Sequence, residues 1–355
     1  MDLTVDGQRI PALIQNTKQG LIFAFNRETG EPIWPIEDRP VFQTEVPGNY
    51  TSPTQPYQTR PQTVDPIVID GLTEEFVIDY TPELKQRALE ILSQYRVGGL
   101  YVPALPENHD NDFYNNVGCQ GGGNVISHPP VGDPTTGIMY VSHNRRCSAP
   151  SFLAPTGGVD EDDPTYATPG SGGATPNSTP TTGTTVAAWL RGGFRQPTES
   201  QAPLVSVTGL PTVDGLRLWK PMDNQLSAFQ MNTGERTWSL PVGETPEIVT
   251  NNPLLRGMEI PNTGGVGFSI QMVMADLLVQ TRALSEGGQQ MVPDAPLELH
   301  ARDKTTGELL GSVELPAPGQ YGMMTYMHEG KHYIVVQIGS VQTDFPASLV
   351  ALALP

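Results

Sequence analysis

The sequence predicts an all-β protein built as a β-propeller. Three observations carry this. A short turn pattern recurs along the chain, Gly (37) and Pro (35) make up about a fifth of the 355 residues, and only one stretch reads as a convincing helix. A composition rich in turn formers calls for many short strands rather than long helices.

Taken in chain order, Thr4 to Gln15 reads as strand, turn, strand, with Asp6-Gly7 as the hairpin turn. Residues 23–34, FAFNRETGEPIW, give the first copy of the recurring unit, carried by Ala24, Asn26, Thr29, Gly30 and Trp34. An alternating apolar strand enters a tight turn. Thr supplies a hydroxyl to that turn and Gly tolerates positive φ. The returning strand brings a Trp that can pack across a blade interface. One such hairpin cannot bury both faces, so the unit makes sense only when stacked on copies of itself.

The helix follows. Thr81 is the expected N-cap and Pro82 the first helical residue. Leu84, Ala88, Ile91, Leu92 and Tyr95 recur at helical spacing and Gly98 closes the run, giving a helical insertion over 81–97. Cys119 and Cys147 are the only cysteines; they form one bridge or stand as two buried thiols. Between them lie the glycine run CQGGGN (119–124) and DPTTGIMYV (133–141), a weaker copy of the turn unit. Residues 156–185 are rich in Gly, Pro, Ser and Thr and read as a flexible loop. Its acidic run, Asp160 to Asp163, lacks the alternating spacing of a calcium loop and reads as a solvated cluster.

The second full copy, SAFQMNTGERTW (227–238), is carried by Ala228, Gln230, Thr233, Gly234 and Trp238. The third, LHARDKTTGELLG (299–311), has Ala301, Asp303, Thr306 and Gly307, with Gly311 in place of the Trp. KHYIVVQIG (331–339) and SLVALALP (348–355) add two terminal strands. The whole chain, 1–355, is expected to be one propeller segment of four or five blades.

Charge and motifs exclude several functions. With 38 acidic against 20 basic residues, the net charge of −18 is a poor match for a phosphate backbone or an anionic membrane. No apolar run is long enough to span a bilayer as a helix. None of the six histidines has metal-ligand spacing: His328 and His332 are four apart, but in a strand-turn-strand context. Nucleophile-elbow, P-loop and dinucleotide patterns are absent.

The ordered set of segments carries a resemblance. IPALIQNTKQGLIFAFNRETGEPIWPIEDRPV (10–41), SPTQPYQTRP (52–61), TPELKQRALEILSQYR (81–96), CQGGGN, DPTTGIMYV, LWKP (218–221), AFQMNTGERTW (228–238) and MMTYMHEGKHYIVVQIGS (323–340) follow one another as in one family. This sequence resembles the quinoprotein dehydrogenases of the membrane-bound glucose dehydrogenase type, which carry pyrroloquinoline quinone (PQQ) on an eight-bladed propeller. The resemblance spans the chain but only the later part of the family's catalytic domain, so it implies an incomplete propeller.

That resemblance implies a cofactor, PQQ, and a divalent cation, Ca2+ or Mg2+. It implies a sugar or alcohol substrate and a quinone or cytochrome acceptor, and a periplasmic location. The family's W-D-x-D segment, whose Asp resembles the general base, and most metal ligands have no counterpart here. No catalytic or metal-binding residue is therefore assigned. Four cofactor contacts are. Lys18, in TKQG, matches the family lysine that reaches the quinone oxygens, where an ammonium stabilises developing negative charge. Asn124 closes the glycine run, although Val125 stands where the family has an aromatic residue. Trp219 and Lys220, in LWKP, match a segment near the family's cofactor cavity.

Three functional expectations follow. The chain is part of an active PQQ dehydrogenase, with a second chain or further sequence supplying the missing blades. Or it is a propeller that has lost catalysis and serves as a binding or scaffold module. Or it is a truncated product of a longer gene, as the absence of a signal peptide before Thr4 suggests.

Overall fold

A computed structural model describes residues 1–45, 50–106, 112–120, 130–153, 204–208, 212–265, 269–282, 297–339 and 346–353. Four antiparallel sheets follow one another in blade fashion. Blade 1 has three strands, Asp2–Val5, Gln8–Asn16 and Ile22–Asn26. Blade 2 joins Val131–Asp133, Ile138–Asn144, Asn224–Gln230 and Glu235–Pro241. Blade 3 is a meander of Ser269–Val273, Leu277–Arg282, Glu298–Asp303 and Leu309–Glu314. Blade 4 has Gly319–His328, Lys331–Ile338 and Ser348–Ala353.

The period-2 alternation of each strand sends successive side chains to opposite neighbours. In blade 2, Met139, Val141, Phe229 and Met231 pack with Leu3, Ala12, Ile22, Ala24 and Trp34 of blade 1. Their neighbours in sequence, Ile138, Tyr140, Leu226 and Ala228, turn the other way and meet Leu278 and Val273 of blade 3. Blade 3 repeats the device. Val279 and Leu299 face Val336 and Ile338 of blade 4. The core is therefore a series of layers between sheets, as a stack of blades requires.

The turn chemistry follows the repeat. Asp6 and Gly7 both have positive φ and join Val5 to Gln8 in a two-residue hairpin. Asn26 Oδ1 accepts from the amides of Glu28 and Thr29. Asp303 Oδ1 does the same for Thr305 and Thr306, at 2.7 and 2.8 Å. Trp238 packs across the blade interface: a Cβ built on Gly307 would stand 3.2 Å from its ring, so the Trp of one copy rests on the glycine of the next. The weaker copy at 133–141 uses the same chemistry, with Asp133 Oδ1 accepting from Thr135 N at 2.9 Å. It lies in the same sheet as the second copy, however, so it adds a hairpin rather than a blade.

Blade 2 is interrupted. Between Asn144 and Asn224 the chain contributes to a separate sheet, ordered Leu204–Thr208, Arg146–Leu153, Asn115–Gln120, Tyr95–Val97, with Leu105–Pro106 paired parallel to Arg146–Leu153. A hairpin of Ile36–Pro40 and Thr54–Gln58 stands beside it. The expected helix packs on this sheet through Leu84, Ala88 and Leu92. Thr81 caps it, its hydroxyl accepting from Leu84 N at 3.2 Å. The helix is shorter than the 81–97 expected: it spans Pro82–Leu92. Tyr95 leaves the helical register because Tyr95–Val97 pairs parallel with Asn115–Val117. Cys119 and Cys147 are register partners on adjacent strands and are bridged. Asn124, Val125 and the 156–185 loop lie outside the described residues.

Candidate functional site

Strand direction sorts the connections. In the antiparallel blades the first-to-second turns fall at one end, together with the third-to-fourth turns of the four-stranded blades 2 and 3. At that end every turn between paired strands has two to five residues. The second-to-third links and the links between blades leave from the other end, and there they include 35–130, 145–223, 242–268, 283–297 and 339–347. A rigid scaffold with its long connections gathered at one end is the usual arrangement of a functional face. Lys18 sits at that end, in the link 17–21 of blade 1.

The Lys18 turn is closed by its own backbone and by Thr17. Thr17 N donates to Leu21 O at 2.9 Å and Gly20 N to Thr17 O at 3.0 Å. The Thr17 hydroxyl donates to Leu21 O and accepts from Leu21 N, at 3.0 and 3.1 Å. Gly20 has φ +93°, which a side chain would disfavour. Asn16 and Leu21 are buried anchors on either side, while Lys18 and Gln19 are exposed. The sequence thus holds one ammonium at the solvent side of a small, fixed turn.

A buried polar network lies next to it. Residues 60–65 run along the junction of blades 1 and 2. Gln62 N donates to Gly234 O at the short-turn end, and Val64 N donates to Gly20 O of the Lys18 turn at 3.1 Å. The next residue, Asp65, is fully buried and takes Arg145 in a two-pronged pair, Nε to Oδ2 at 2.8 Å and Nη2 to Oδ1 at 2.9 Å. Gln225 Nε2 adds a 3.2 Å bond to Asp65 Oδ2. Arg145 Nη1 donates to Lys220 O at 3.0 Å, its backbone N donates to Asp223 O, and its guanidinium lies over the Phe76 ring. Burial pushes the Asp65 carboxyl up; the hydrogen bonds and charge of Arg145 more than reverse this and hold it below the usual carboxylate range.

Trp219 and Lys220 belong to the rim of this network. Trp219 is only 9% exposed and belongs to the core cluster with Phe76, Val77 and Leu218. Its Nε1 donates to Asp223 Oδ1 at 2.9 Å, and the Arg217 guanidinium covers the ring. Burial raises the Asp223 carboxyl, although Arg217 pairs with it at 3.0 Å. The Lys220 ammonium pairs with Asp79 at 2.7 Å. Trp219 and Lys220 are sequence neighbours, and the Val64–Asp65–Arg145 path links the Lys220 carbonyl to the Lys18 turn. Asp65, Arg145 and Gln225 are not singled out by the sequence. Their only local signal is the charge of Asp65 and Arg145, which lie 80 residues apart.

His143 completes the buried layer. Its Nε2 shares a 2.8 Å hydrogen bond with the Ser227 hydroxyl, which in turn meets Ser239. Burial lowers its pKa to about 4, with Asp65 pulling upward and Arg236 and Arg145 adding to the depression. The ring is neutral at physiological pH.

An exposed ammonium on a fixed turn fits the carboxylate and quinone oxygens of a planar anionic cofactor. Trp219 does not offer an open stacking face, because its ring is buried and covered. For a divalent cation the fit fails among the described residues: no three His, Cys, Asp or Glu side chains cluster to hold one.

Comparison with known proteins agrees with this architecture. Residues 1–334 match the family model for the glucose/ethanol/alcohol dehydrogenase β-propeller domain, a PQQ family. The chain belongs to this family of PQQ-dependent dehydrogenase propellers. It is 29% identical over 368 residues to a glycerol dehydrogenase large subunit of Gluconobacter oxydans, covering 99% of this chain and 43% of that protein. It is 28% identical over 362 residues to the quinoprotein glucose dehydrogenase of Escherichia coli, covering all of this chain and 40% of that protein. The chain thus spans about two fifths of the length of the curated relatives it matches. Among solved structures, the quinohemoprotein alcohol dehydrogenase of Comamonas testosteroni aligns over 99% of this chain and 37% of its own, at 13% identity and a TM-score of 0.47.

Proposed function

We propose that this chain forms part of a PQQ-dependent dehydrogenase that oxidises a sugar or alcohol and passes electrons to a quinone or cytochrome. The observation that carries the reading is the closed Thr17–Leu21 turn, which presents Lys18 at the end of the blades where the long connections gather. When bound, PQQ would supply the redox chemistry of the oxidation. Lys18 binds and orients the cofactor and stabilises negative charge that grows on its oxygens. The buried Asp65–Arg145 pair adjoins this turn through the Val64 N to Gly20 O bond. A periplasmic location is supported by the Cys119–Cys147 bridge, since such bonds persist in oxidising compartments and are rare in reducing ones.

Equilibrium titration with PQQ tests the reading. The chain is expected to bind PQQ saturably, and Lys18→Ala to weaken binding by roughly 10- to 100-fold, the worth of one charge-assisted hydrogen bond. No saturable binding, or equal binding by Lys18→Ala, would overturn it. Binding without reduction of a dye by added alcohol would favour a propeller that retains the cofactor but not the reaction.

A further inference from the structure

We propose that Asp65 and Arg145 are positioning residues for Lys18. They lock the Lys18 turn to the segment 219–225, so that the ammonium is held in register with the other long connections. The assignment to Lys18 rests on the function proposed above; the mechanical link does not.

Four pieces of chain meet at this pair. Val64 N ties the preceding residue to Gly20 O in the Lys18 turn. Asp65 receives Arg145, which stands directly after the strand Ile138–Asn144. Arg145 then donates to Lys220 O, and Gln225, from the strand Asn224–Gln230, donates to Asp65 and to Met222 O. Every bond in the chain is directional, and together they leave the turn little freedom relative to residues 219–225.

Stability alone is a poor reason for such a pair. The Asp65 side chain is fully buried and that of Arg145 is 10% exposed. Removing both charges from water carries a large desolvation cost, and apolar side chains of equal volume often stabilise as well or better. What a two-pronged guanidinium–carboxylate pair provides, and an apolar contact does not, is a fixed angle and register. Surface pairs elsewhere in the chain, such as Arg39–Glu37, have no such reach.

The test uses the full chain, with Arg145→Lys and Asp65→Asn beside the wild type. Lys keeps the charge and stem but loses the fork, and Asn keeps the shape but loses the charge. Hydrogen exchange is read at the amides of Leu21 and Val64, with Val279 and Leu299 of blade 3 as internal references. Both variants are expected to speed exchange at Leu21 and Val64 at least tenfold and to leave the references within twofold. PQQ affinity is expected to fall at least tenfold in both variants, in parallel with the exchange. Unchanged exchange at Leu21 and Val64 in either folded variant would overturn the link. So would equal acceleration at the references, which would mark the pair as ordinary support. Should the wild type bind no PQQ, the function above falls while the exchange arm still decides the mechanical link. Should it bind and the variants loosen the turn without losing affinity, the positioning role falls. A variant that does not fold is replaced by Gln225→Ala, which removes the 3.2 Å bonds to Asp65 Oδ2 and Met222 O but keeps the Asp65–Arg145 pair, and is expected to show the same pattern at smaller amplitude.

Discussion

The two ends of the blades solve different problems. At one end all turns are short, and they are stitched to their neighbours. Asp133 takes the Lys304 ammonium at 2.7 Å across the junction of blades 2 and 3, while Tyr140 Oη donates to Lys304 O. Thr4 N reaches Asn232 Oδ1 across the junction of blades 1 and 2. At the other end the chain departs into long connections, and the buried charges there join distant segments rather than adjacent turns. The difference teaches that one end ties neighbouring blades through adjacent turns, while the other ties segments far apart in the chain.

The contrast is broken most sharply by removing its strongest tie. Asp133→Ala leaves the largely covered Lys304 ammonium without this carboxylate and strips Thr135 and Thr136 of their acceptor. It is expected to cost about 4 kcal/mol, measured by urea unfolding. Lys18→Ala, at the other end, is expected to stay within about 0.5 kcal/mol of wild type. Equal losses in the two variants would erase the division of labour.

A second effect separates the ends by pH. His143 has a folded pKa near 4, below its ordinary value of 6.5. Unfolding therefore takes up a proton at intermediate pH. The stability this residue contributes is complete above about pH 6.5 and is lost as pH falls towards 4. The loss should reach roughly 3 kcal/mol, because each tenfold difference in proton affinity between the folded and unfolded chain is worth ~1.4 kcal/mol. His143→Gln should flatten the unfolding free energy across that window, and an unchanged slope would remove His143 as its source.

The smallest effect compares two glycines of the repeat. Gly30 and Gly307 both have positive φ, but a Cβ meets nothing within 4 Å at Gly30, whereas at Gly307 it meets Leu240 and the Trp238 ring. Gly30→Ala is expected to cost about 1 kcal/mol from the backbone alone. Gly307→Ala should cost about 2–3 kcal/mol, because Leu240 and Trp238 of the preceding blade must also shift. Equal thermal unfolding shifts would show that the Trp238 contact carries no load.

Much of the blade framework is legible because its signals are local. Asp6-Gly7, the Asn26 and Asp303 turns and the Thr81 cap each depend on residues within a few positions. Layer membership follows from alternation, as Ile138 and Met139 illustrate by facing different neighbours. The end of the helix is not legible at Tyr95, because a strand 20 residues away claims that segment. The candidate site is half legible. The motif around Lys18 points to its turn. The same kind of match points to Trp219, whose burial under Arg217 depends on distant residues that the motif does not show.

The sequence by itself determined that this chain makes stacked hairpins, with Lys18 in the TKQG motif beside an apolar strand. Turn residues and alternating apolar positions act over a few bonds, and no distant partner is needed to read them. Only the tertiary structure decided that Cys119 and Cys147 bridge, that the Asn144–Asn224 interruption feeds a separate sheet, and that Asp65 meets Arg145. Those contacts join residues 28 to 80 positions apart. Their free energy is gained only after the chain has closed the loops between them, so nothing in the local pattern announces them.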